Sequence, residues 1–191
     1  MMSIMRMFLY IFVLAFGASA AIADTRAAWD ALRGDGHVAL IRHAAAPGVG
    51  DPPGYRLDDC RTQRNLSDGG RAAARALGDR FRAERVKVGK VIASQWCRSR
   101  QTAELMNLGP VEDAPGFNNV FVLRDQREEI TAQGRAVIAA WRGPGTLVVA
   151  THGDNIYELL GSNPREGEVV VVKPEPSAAR KLRVIGRIPP D

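Results

Sequence analysis

The 191-residue sequence is poor in cysteine, histidine and aromatic residues, with two cysteines, three histidines and 6% aromatics. Two cysteines cannot build a disulfide-rich scaffold, and two thiols alone do not complete a zinc site. The sequence has no zinc-ligand spacing and no repeated pairing of aromatic with basic residues, so it lacks the signatures of a nucleic-acid-binding module. After residue 23 no apolar run is long enough to cross a bilayer, which takes about 20 residues. No internal repeat is present.

The composition that remains is that of an ordinary folded protein. Hydrophobic residues make up 46% of the chain and charged residues 25%, a balance that favours a globular domain over a disordered chain. The length suffices for one well-buried core, and no change of composition marks a second domain. We therefore expect a single domain over residues 24–191.

Residues 1–23, "MMSIMRMFLYIFVLAFGASAAIA", have the pattern of a secretory signal peptide. A positive charge at Arg6 is followed by a short apolar core and by alanines at the spacing that signal peptidases recognise. Cleavage near Ala23 would place the protein in the periplasm or outside the cell. The alternative is an uncleaved membrane anchor, although the apolar core is short for a span. No cysteine lies at the cleavage site, so lipid attachment there is not expected.

Charge and cysteine content fit an exported protein. Removing residues 1–23 takes away only Arg6 among the charged residues, so the formal net charge falls from +5 to +4. A mildly basic surface favours anionic ligands, and the alternative is a basic surface that simply contacts solvent. In an oxidising compartment Cys60 and Cys97 are expected to form one disulfide, which the chain-entropy model credits with about 4 kcal/mol. Metal binding is the weaker interpretation of the pair.

Short apolar runs alternate with helical patterns along the chain. Strands are predicted in "HVALIRH", "KVIASQ" and "TLVVATHG", and helices in the segments that lie between and around them. One helix is predicted to begin near Asp68 with Ser67 as its N-cap, and another to close at Gly109. This alternation predicts an α/β domain with a mostly parallel sheet, helices on both faces and a C-terminal hairpin or edge pair of strands. Residues 46–65 are predicted to form a long loop, which in compact domains is often functional.

Histidine and arginine residues cluster at the predicted carboxyl ends of three strands. Arg42 and His43 end the first strand, Arg98 follows the second, and His152 ends the third. Ligands of open α/β sheets bind at that edge, so these side chains are expected to converge. A neutral imidazole can attack phosphorus, arginines bind phosphoryl oxygens two at a time, and a second histidine can donate hydrogen bonds to them. The scheme needs no metal or other cofactor.

Three blocks, "LIRHA" at 40–44, "SQWCRSRQTAEL" at 94–105 and "VATHGDN" at 149–155, resemble the signatures of the histidine phosphatase superfamily, with its phosphoglycerate mutase-like fold. "NLSDGGRAAARALG" at 65–78 also resembles that family's helix-opening segment, and the likeness covers roughly residues 37–161. The resemblance implies that His43 is the phosphorylated nucleophile, that Arg42 and Arg98 bind the phosphoryl group, and that His152 completes the pocket.

Three other residues near these blocks allow more than one interpretation. Arg100 is expected to form a surface ion pair, and His37, at the start of the first strand, is expected to be structural. Asn65 either contacts phosphate or caps the helix that follows it.

The sequence departs from the family pattern in two places. Ala44 replaces the commoner glycine, which is tolerable if its φ is negative. Many members carry a carboxylate as general acid in a segment that aligns with "PGFNNVF", where this chain has Asn118 and Asn119. Other candidates for the acid are Asp154, or else Asp125 and Glu128, each of which has a structural alternative as a helix cap or a partner of the helix dipole.

The sequence therefore predicts an exported, metal-independent phosphatase acting on a small phosphate compound, with an envelope sugar phosphate or glycolipid as one candidate substrate. No nucleic acid and no lasting membrane span are expected. Without a general acid, substrates whose leaving group needs no proton would be preferred. A Cys60–Cys97 disulfide would hold the 46–65 loop over the pocket. The alternatives are a phosphomutase and a non-catalytic phosphate-binding module on the same fold.

Overall fold

The computed structural model describes residues 24–175 and 182–190. The predicted signal peptide and the turn before the last strand lie outside these residues. Helix α1 covers residues 24–32. The other helices are α2 (Asp68–Ala83), α3 (Cys97–Met106), α4 (Arg127–Ala140) and α5 (Gly153–Leu160). The strands are β1 (Val38–Arg42), β2 (Val88–Ala93), β3 (Val111–Asp113), β4 (Thr146–Thr151), β5 (Val169–Pro174) and β6 (Leu182–Ile188).

The six strands form one mixed sheet in the order β3-β2-β4-β1-β5-β6. Strands β1 to β4 pair in parallel, β5 runs antiparallel to β1, and β6 runs antiparallel to β5. The predicted fold class is thus confirmed, including the C-terminal antiparallel pair. The prediction missed β3, a three-residue edge strand too short to show any alternation of apolar and polar residues.

Each face of the sheet is covered by helices because successive strand residues point to opposite sides. Ala39 and Ile41 of β1 pack with apolar residues of α1, α2 and α3. Val38 and Leu40 pack on the other face with residues of α4 and α5. The central strands are apolar on both faces, as expected of a buried parallel sheet.

The ends of two helices follow local chemistry. The Ser67 hydroxyl caps α2 by accepting the Gly70 N–H at 3.0 Å, as predicted. Helix α3 ends earlier than predicted, because Asn107 rather than Gly109 takes the left-handed conformation just after Met106, with φ of 52°. Asparagine is one of the few residues other than glycine that adopts it readily.

The strand order determines where the site forms. Strands β2, β4 and β1 are neighbours, and the pairing continues past the strand ends. The His43 N–H donates to Thr151 O at 2.9 Å, and the Ser94 N–H donates to Ala150 O at 2.9 Å. The three blocks that carry arginine and histidine therefore lie side by side at one edge of the sheet.

Candidate active site

A cavity of about 160 Å³ opens at this edge, and the predicted residues Arg42, His43, Arg98 and His152 all line it. The rest of its wall comes from the 46–65 loop, the segment before α4 and the start of α5. These further lining residues are Gly48, Val49, Gly50, Arg64, Asn119, Phe121, Gly153 and Asp154. The sheet thus brings the four predicted residues into one site.

His43 is buried and held in one orientation. Its Nδ1 lies 2.9 Å from Ala44 O, and because a carbonyl only accepts, Nδ1 carries the proton and Nε2 keeps its lone pair. The pKa of His43 is lowered to about 3, chiefly by burial and also by the charges of Arg98, Arg64 and Arg42, against the opposing effect of the Ala44 contact. A neutral imidazole with a free Nε2 is the form that acts as a nucleophile.

His152 packs edge-on against His43, with ring centroids 5.5 Å apart. Its Nε2 lies 2.9 Å from Ser94 Oγ, which also accepts the Trp96 N–H at 3.3 Å. Ser94 Oγ also donates to Asn118 Oδ1 at 3.4 Å. A hydroxyl has one proton, so His152 Nε2 carries a hydrogen when Ser94 donates to Asn118, and the hydrogen lies on Nδ1 when Ser94 donates to Nε2. In both forms Nδ1 is a buried atom with no partner among the described residues. Burial, followed by Arg98 and His43, keeps the pKa of His152 well below its usual range.

Arg42 reaches the cavity from the end of β1. Its Nη1 donates to Pro164 O at 3.0 Å and to Asn163 Oδ1 at 3.3 Å, while its buried Nε has no partner within the described part of the chain. Gly153 leaves room for this side chain, since a Cβ there would lie 3.2 Å from Arg42 Nη1 and 2.4 Å from Asn163 Oδ1.

Arg64 is a third arginine of the cavity that the sequence analysis missed. Its Nε donates to Gly50 O at 3.0 Å, and its Nη1 donates to Ala46 O. Burial and the positive charge of Arg98 lower the pKa of Arg64. One signal in the sequence could have identified Arg64: it directly precedes Asn65, the first residue of a segment that resembles the family.

Asn65 itself does not line the cavity. Its amide donates to the carbonyl oxygens of Cys60 and Gln63, so it supports the loop. It is not the N-cap of α2 either, because Ser67 takes that role.

Arg98 is completely buried at the start of α3 and forms a two-pronged ion pair with Asp51 of the 46–65 loop. Arg98 Nη1 donates to Asp51 Oδ1 at 2.8 Å, and Nη2 donates to Oδ2 at 3.2 Å. Its Nε, like that of Arg42, is buried without a partner in residues 24–175 and 182–190. Asp51 was also not predicted.

The same loop is joined to α3 by the disulfide between Cys60 and Cys97, whose Cα atoms are 5.7 Å apart. The structure thus contains the predicted disulfide. Beside it, Gln63 Oε1 accepts the Cys97 N–H at 3.0 Å. The loop that carries Asp51 and Arg64 is therefore attached to the helix that carries Arg98.

The remaining candidates occupy varied positions. Asp154 lines the cavity as an exposed residue in the first turn of α5, whereas Asp125 and Glu128 are exposed and do not line it. The predicted surface ion pair is present, since Arg100 contacts Glu104 and Asp113.

The two asparagines in the segment before α4 serve different contacts. Asn118 Oδ1 accepts the Gln95 N–H at 3.0 Å, and Asn119 Oδ1 accepts the Phe121 N–H at 3.0 Å. Asn119 also lines the cavity.

The described residues contain neither a candidate metal site nor a candidate membrane span. No group of three His, Cys, Asp or Glu residues there could hold a metal ion. None of the helices in that part of the chain has the length and hydropathy of a membrane span.

A mostly parallel α/β sheet whose strand ends present a buried neutral histidine among cationic donors is the arrangement that the resemblance to histidine phosphatases predicted. The comparison with protein families agrees, because residues 38–161 match the histidine phosphatase superfamily (branch 1). The chain belongs to that family, and the predicted enzyme class is confirmed.

Known structures show the same fold at low sequence identity. A candidate phosphohistidine phosphatase SixA from Agrobacterium tumefaciens is 20% identical, with 82% of this chain and 99% of that chain covered and a TM-score of 0.54. The protein histidine phosphatase SixA complexed with tungstate is 18% identical over 81% and 97%, with a TM-score of 0.53. A mycobacterial glucosyl-3-phosphoglycerate phosphatase is 16% identical over 78% and 96%, with a TM-score of 0.55. No curated protein matches the chain with significant similarity.

Proposed function

We propose that this protein is an exported phosphatase that hydrolyses a phosphomonoester or related phosphate through a phosphohistidine on His43. One observation carries the proposal: three buried nitrogen atoms beside the cavity, namely Arg42 Nε, Arg98 Nε and His152 Nδ1, have no partner in the described part of the chain. Buried polar atoms without partners are costly, and a phosphoryl group in the cavity would supply acceptor oxygens for the two arginine N–H groups, and for His152 Nδ1 in the tautomer that carries its hydrogen there.

The proposed reaction has two displacements. The Nε2 lone pair of His43 forms a bond to phosphorus while the bond from phosphorus to the leaving group breaks, and the leaving group takes that electron pair. Water then attacks phosphorus, the N–P bond breaks with its electron pair returning to His43 Nε2, and inorganic phosphate leaves as the attacking water gives a proton to the solvent. The two arginines and His152 stabilise the charge on the phosphoryl oxygens in both steps.

The substrates we propose are those whose leaving group departs without a proton. Asn118 and Asn119 stand where relatives are expected to carry an acid, and an amide cannot protonate an alkoxide. Acyl phosphates, phosphoanhydrides and phosphohistidine fit this site better than alkyl phosphates do. Equal rates on alkyl and activated aryl phosphates would refute this preference.

Two relatives suggest where to search. One is named a protein histidine phosphatase and another a glucosyl-3-phosphoglycerate phosphatase, so phosphohistidine and sugar phosphates, including those of envelope glycolipids, are the first compounds to screen. The basic sequence, with a formal net charge of +5, is compatible with an anionic envelope substrate.

Export rests on residues 1–23 and on the disulfide, which persists in oxidising compartments. The N-terminal sequence of protein recovered from fractionated cells tests it. A new N-terminus near Asp24 in the periplasmic or culture fraction is expected, and intact protein in the cytoplasm would contradict export.

The covalent step is tested by single-turnover labelling. The protein is mixed with a labelled aryl phosphate and quenched, beside His43→Ala and the control His37→Ala, whose histidine does not line the cavity. Acid-labile, alkali-stable label is expected on the wild type and on the control only. Absence of label and turnover with phosphate still bound would indicate a binding module, whereas label passed to a second substrate without phosphate release would indicate a mutase.

A further inference from the structure

Asp51 is a buried carboxylate beside the proposed phosphoryl pocket, and its side chain is 1% exposed. Its two oxygens accept four hydrogen bonds. Oδ1 accepts from Arg98 Nη1 at 2.8 Å and from the Arg64 N–H at 3.0 Å. Oδ2 accepts from Arg98 Nη2 at 3.2 Å and from Trp96 Nε1 at 2.9 Å. A carboxylate offers about four lone-pair positions, so Asp51 is fully occupied by the protein.

The way Asp51 holds Arg98 leaves one edge of the guanidinium available. Asp51 takes one hydrogen from each Nη, the end-on pairing of a carboxylate with arginine. Because the guanidinium is planar, this pairing fixes the plane and the direction of the remaining edge, which consists of Nε–H and the second hydrogen of Nη2. Nε is the buried atom that has no partner among the described residues.

We propose that Asp51 is a positioning residue that fixes Arg98 so that its Nε edge meets the transferring phosphoryl group. The inference rests on the proposed function, since it assigns the loop carboxylate a role in the same reaction. Asp51 acts through Arg98 and does not line the cavity. Asp51 also accepts a hydrogen bond from the Arg64 N–H, so it helps to position Arg64, the third arginine of the cavity.

A charged Asp51 has one alternative role, which is to compete with phosphate for Arg98. The two roles predict opposite changes in phosphate affinity when the carboxylate is neutralised. Burial raises the pKa of Asp51, but Arg98 and the Arg64 N–H outweigh it, so the pKa lies below its usual range and the carboxylate is ionised at neutral pH. A carboxylate that merely competed with phosphate for Arg98 would, once neutralised, let phosphate bind more tightly. A carboxylate that positions Arg98 would, once neutralised, leave a buried cation misplaced and phosphate binding weaker.

The central test is a double-mutant cycle with Asp51→Asn and Arg98→Ala. Asparagine keeps the shape but turns an amide donor toward Arg98 Nη2 and Trp96 Nε1. We expect kcat/KM to fall roughly 10- to 100-fold, the usual effect of losing an orienting partner, with most of the loss in kcat. In the Arg98→Ala background the same substitution should cost less than about threefold, because its target is gone. Equal losses in both backgrounds would overturn the proposal.

The control variant is Asp59→Asn in the same loop. Asp59 accepts from the Arg61 N–H and pairs with Arg56 and Arg61, away from Arg98. It should change kcat/KM by less than about twofold. A loss in Asp59→Asn equal to that in Asp51→Asn would show that any weakening of the loop suffices, and would refute the specific role.

Phosphate binding separates failure of this inference from failure of the proposed function. Titration of the wild type and Asp51→Asn with inorganic phosphate, followed by isothermal titration calorimetry, needs no turnover. Weaker binding in the variant supports positioning, and tighter binding refutes it, even if the wild type proves inactive. Should Asp51→Asn fail to fold, Trp96→Phe removes one donor to the carboxylate, and a smaller loss of phosphate affinity is expected in the same direction. Unchanged or tighter binding in that variant would refute the proposal.

Discussion

Breaking the Cys60–Cys97 disulfide is expected to lower both thermal stability and phosphate affinity. The two cysteines are 37 positions apart, and for a closed loop of that length the chain-entropy model gives about 4 kcal/mol. In domains of 150 to 250 residues, 1 kcal/mol corresponds to roughly 2–4 °C in Tm, so reduction should lower Tm by roughly 8–16 °C.

The effect on activity follows from what the disulfide attaches. The loop it ties to α3 carries Asp51 and Arg64, while Gln63 remains bonded to the Cys97 N–H. One link is lost and others persist, so the loop should loosen without leaving the site. KM is then expected to rise more than kcat falls, because the phosphoryl group finds its cationic donors less well ordered.

The assay compares thermal unfolding and phosphate release with and without a non-thiol reductant under non-denaturing conditions. The double variant Cys60→Ser, Cys97→Ser should match the reduced wild type and should itself not respond to the reductant. Reduction that is verified by thiol titration but leaves both Tm and activity unchanged would refute the reasoning.

Three further predictions follow from the site. The pKa of His43 is about 3 and that of His152 is also lowered, so both are neutral in the folded state and protonate in the unfolded state below about pH 6.5. The free energy of unfolding should therefore fall as the pH decreases from about 6.5, by up to about 1.4 kcal/mol per pH unit for each histidine. Urea denaturation at several pH values measures it, and a free energy of unfolding that stays constant below pH 6.5 would contradict the prediction. Gly153→Ala should displace Arg42 and lower kcat/KM roughly 10- to 100-fold, whereas wild-type kinetics would show that the neighbouring groups yield to the methyl group. Asp154→Asn should slow alkyl phosphate hydrolysis more than acyl phosphate hydrolysis if Asp154 is the acid, and equal effects on both would exclude that role.

The parts of the site that could be predicted from sequence are those whose position is set by a single strand or helix. Arg42 and His43 end β1, His152 ends β4, and Arg98 lies in the first turn of α3. Each such position follows from a short apolar run and the edge at which parallel strands end. The structure brings these four residues together, while their catalytic roles stay predictions until variants are measured.

The parts that could not be predicted lie in the 46–65 loop. Its path is set by the disulfide and by the contact of Gln63 with the start of α3, not by any periodicity of the sequence. Arg64 and Asp51 acquire their roles only through that path. Asn65 stood out in the sequence because of the family resemblance, but the loop turns its amide toward backbone carbonyls instead of the cavity.

The carboxylates around the cavity bear on which leaving groups the enzyme can expel. Asp51 accepts four hydrogen bonds and has a lowered pKa, so it holds no proton to give at neutral pH. Glu166 lies 3.8 Å from an Nη of both Arg42 and Arg64 and does not line the cavity. Among the described residues that line the cavity, Asp154 is the one carboxylate. The choice is therefore between Asp154 as the acid and a substrate that needs none, and comparison of alkyl with acyl phosphates in Asp154→Asn separates the two.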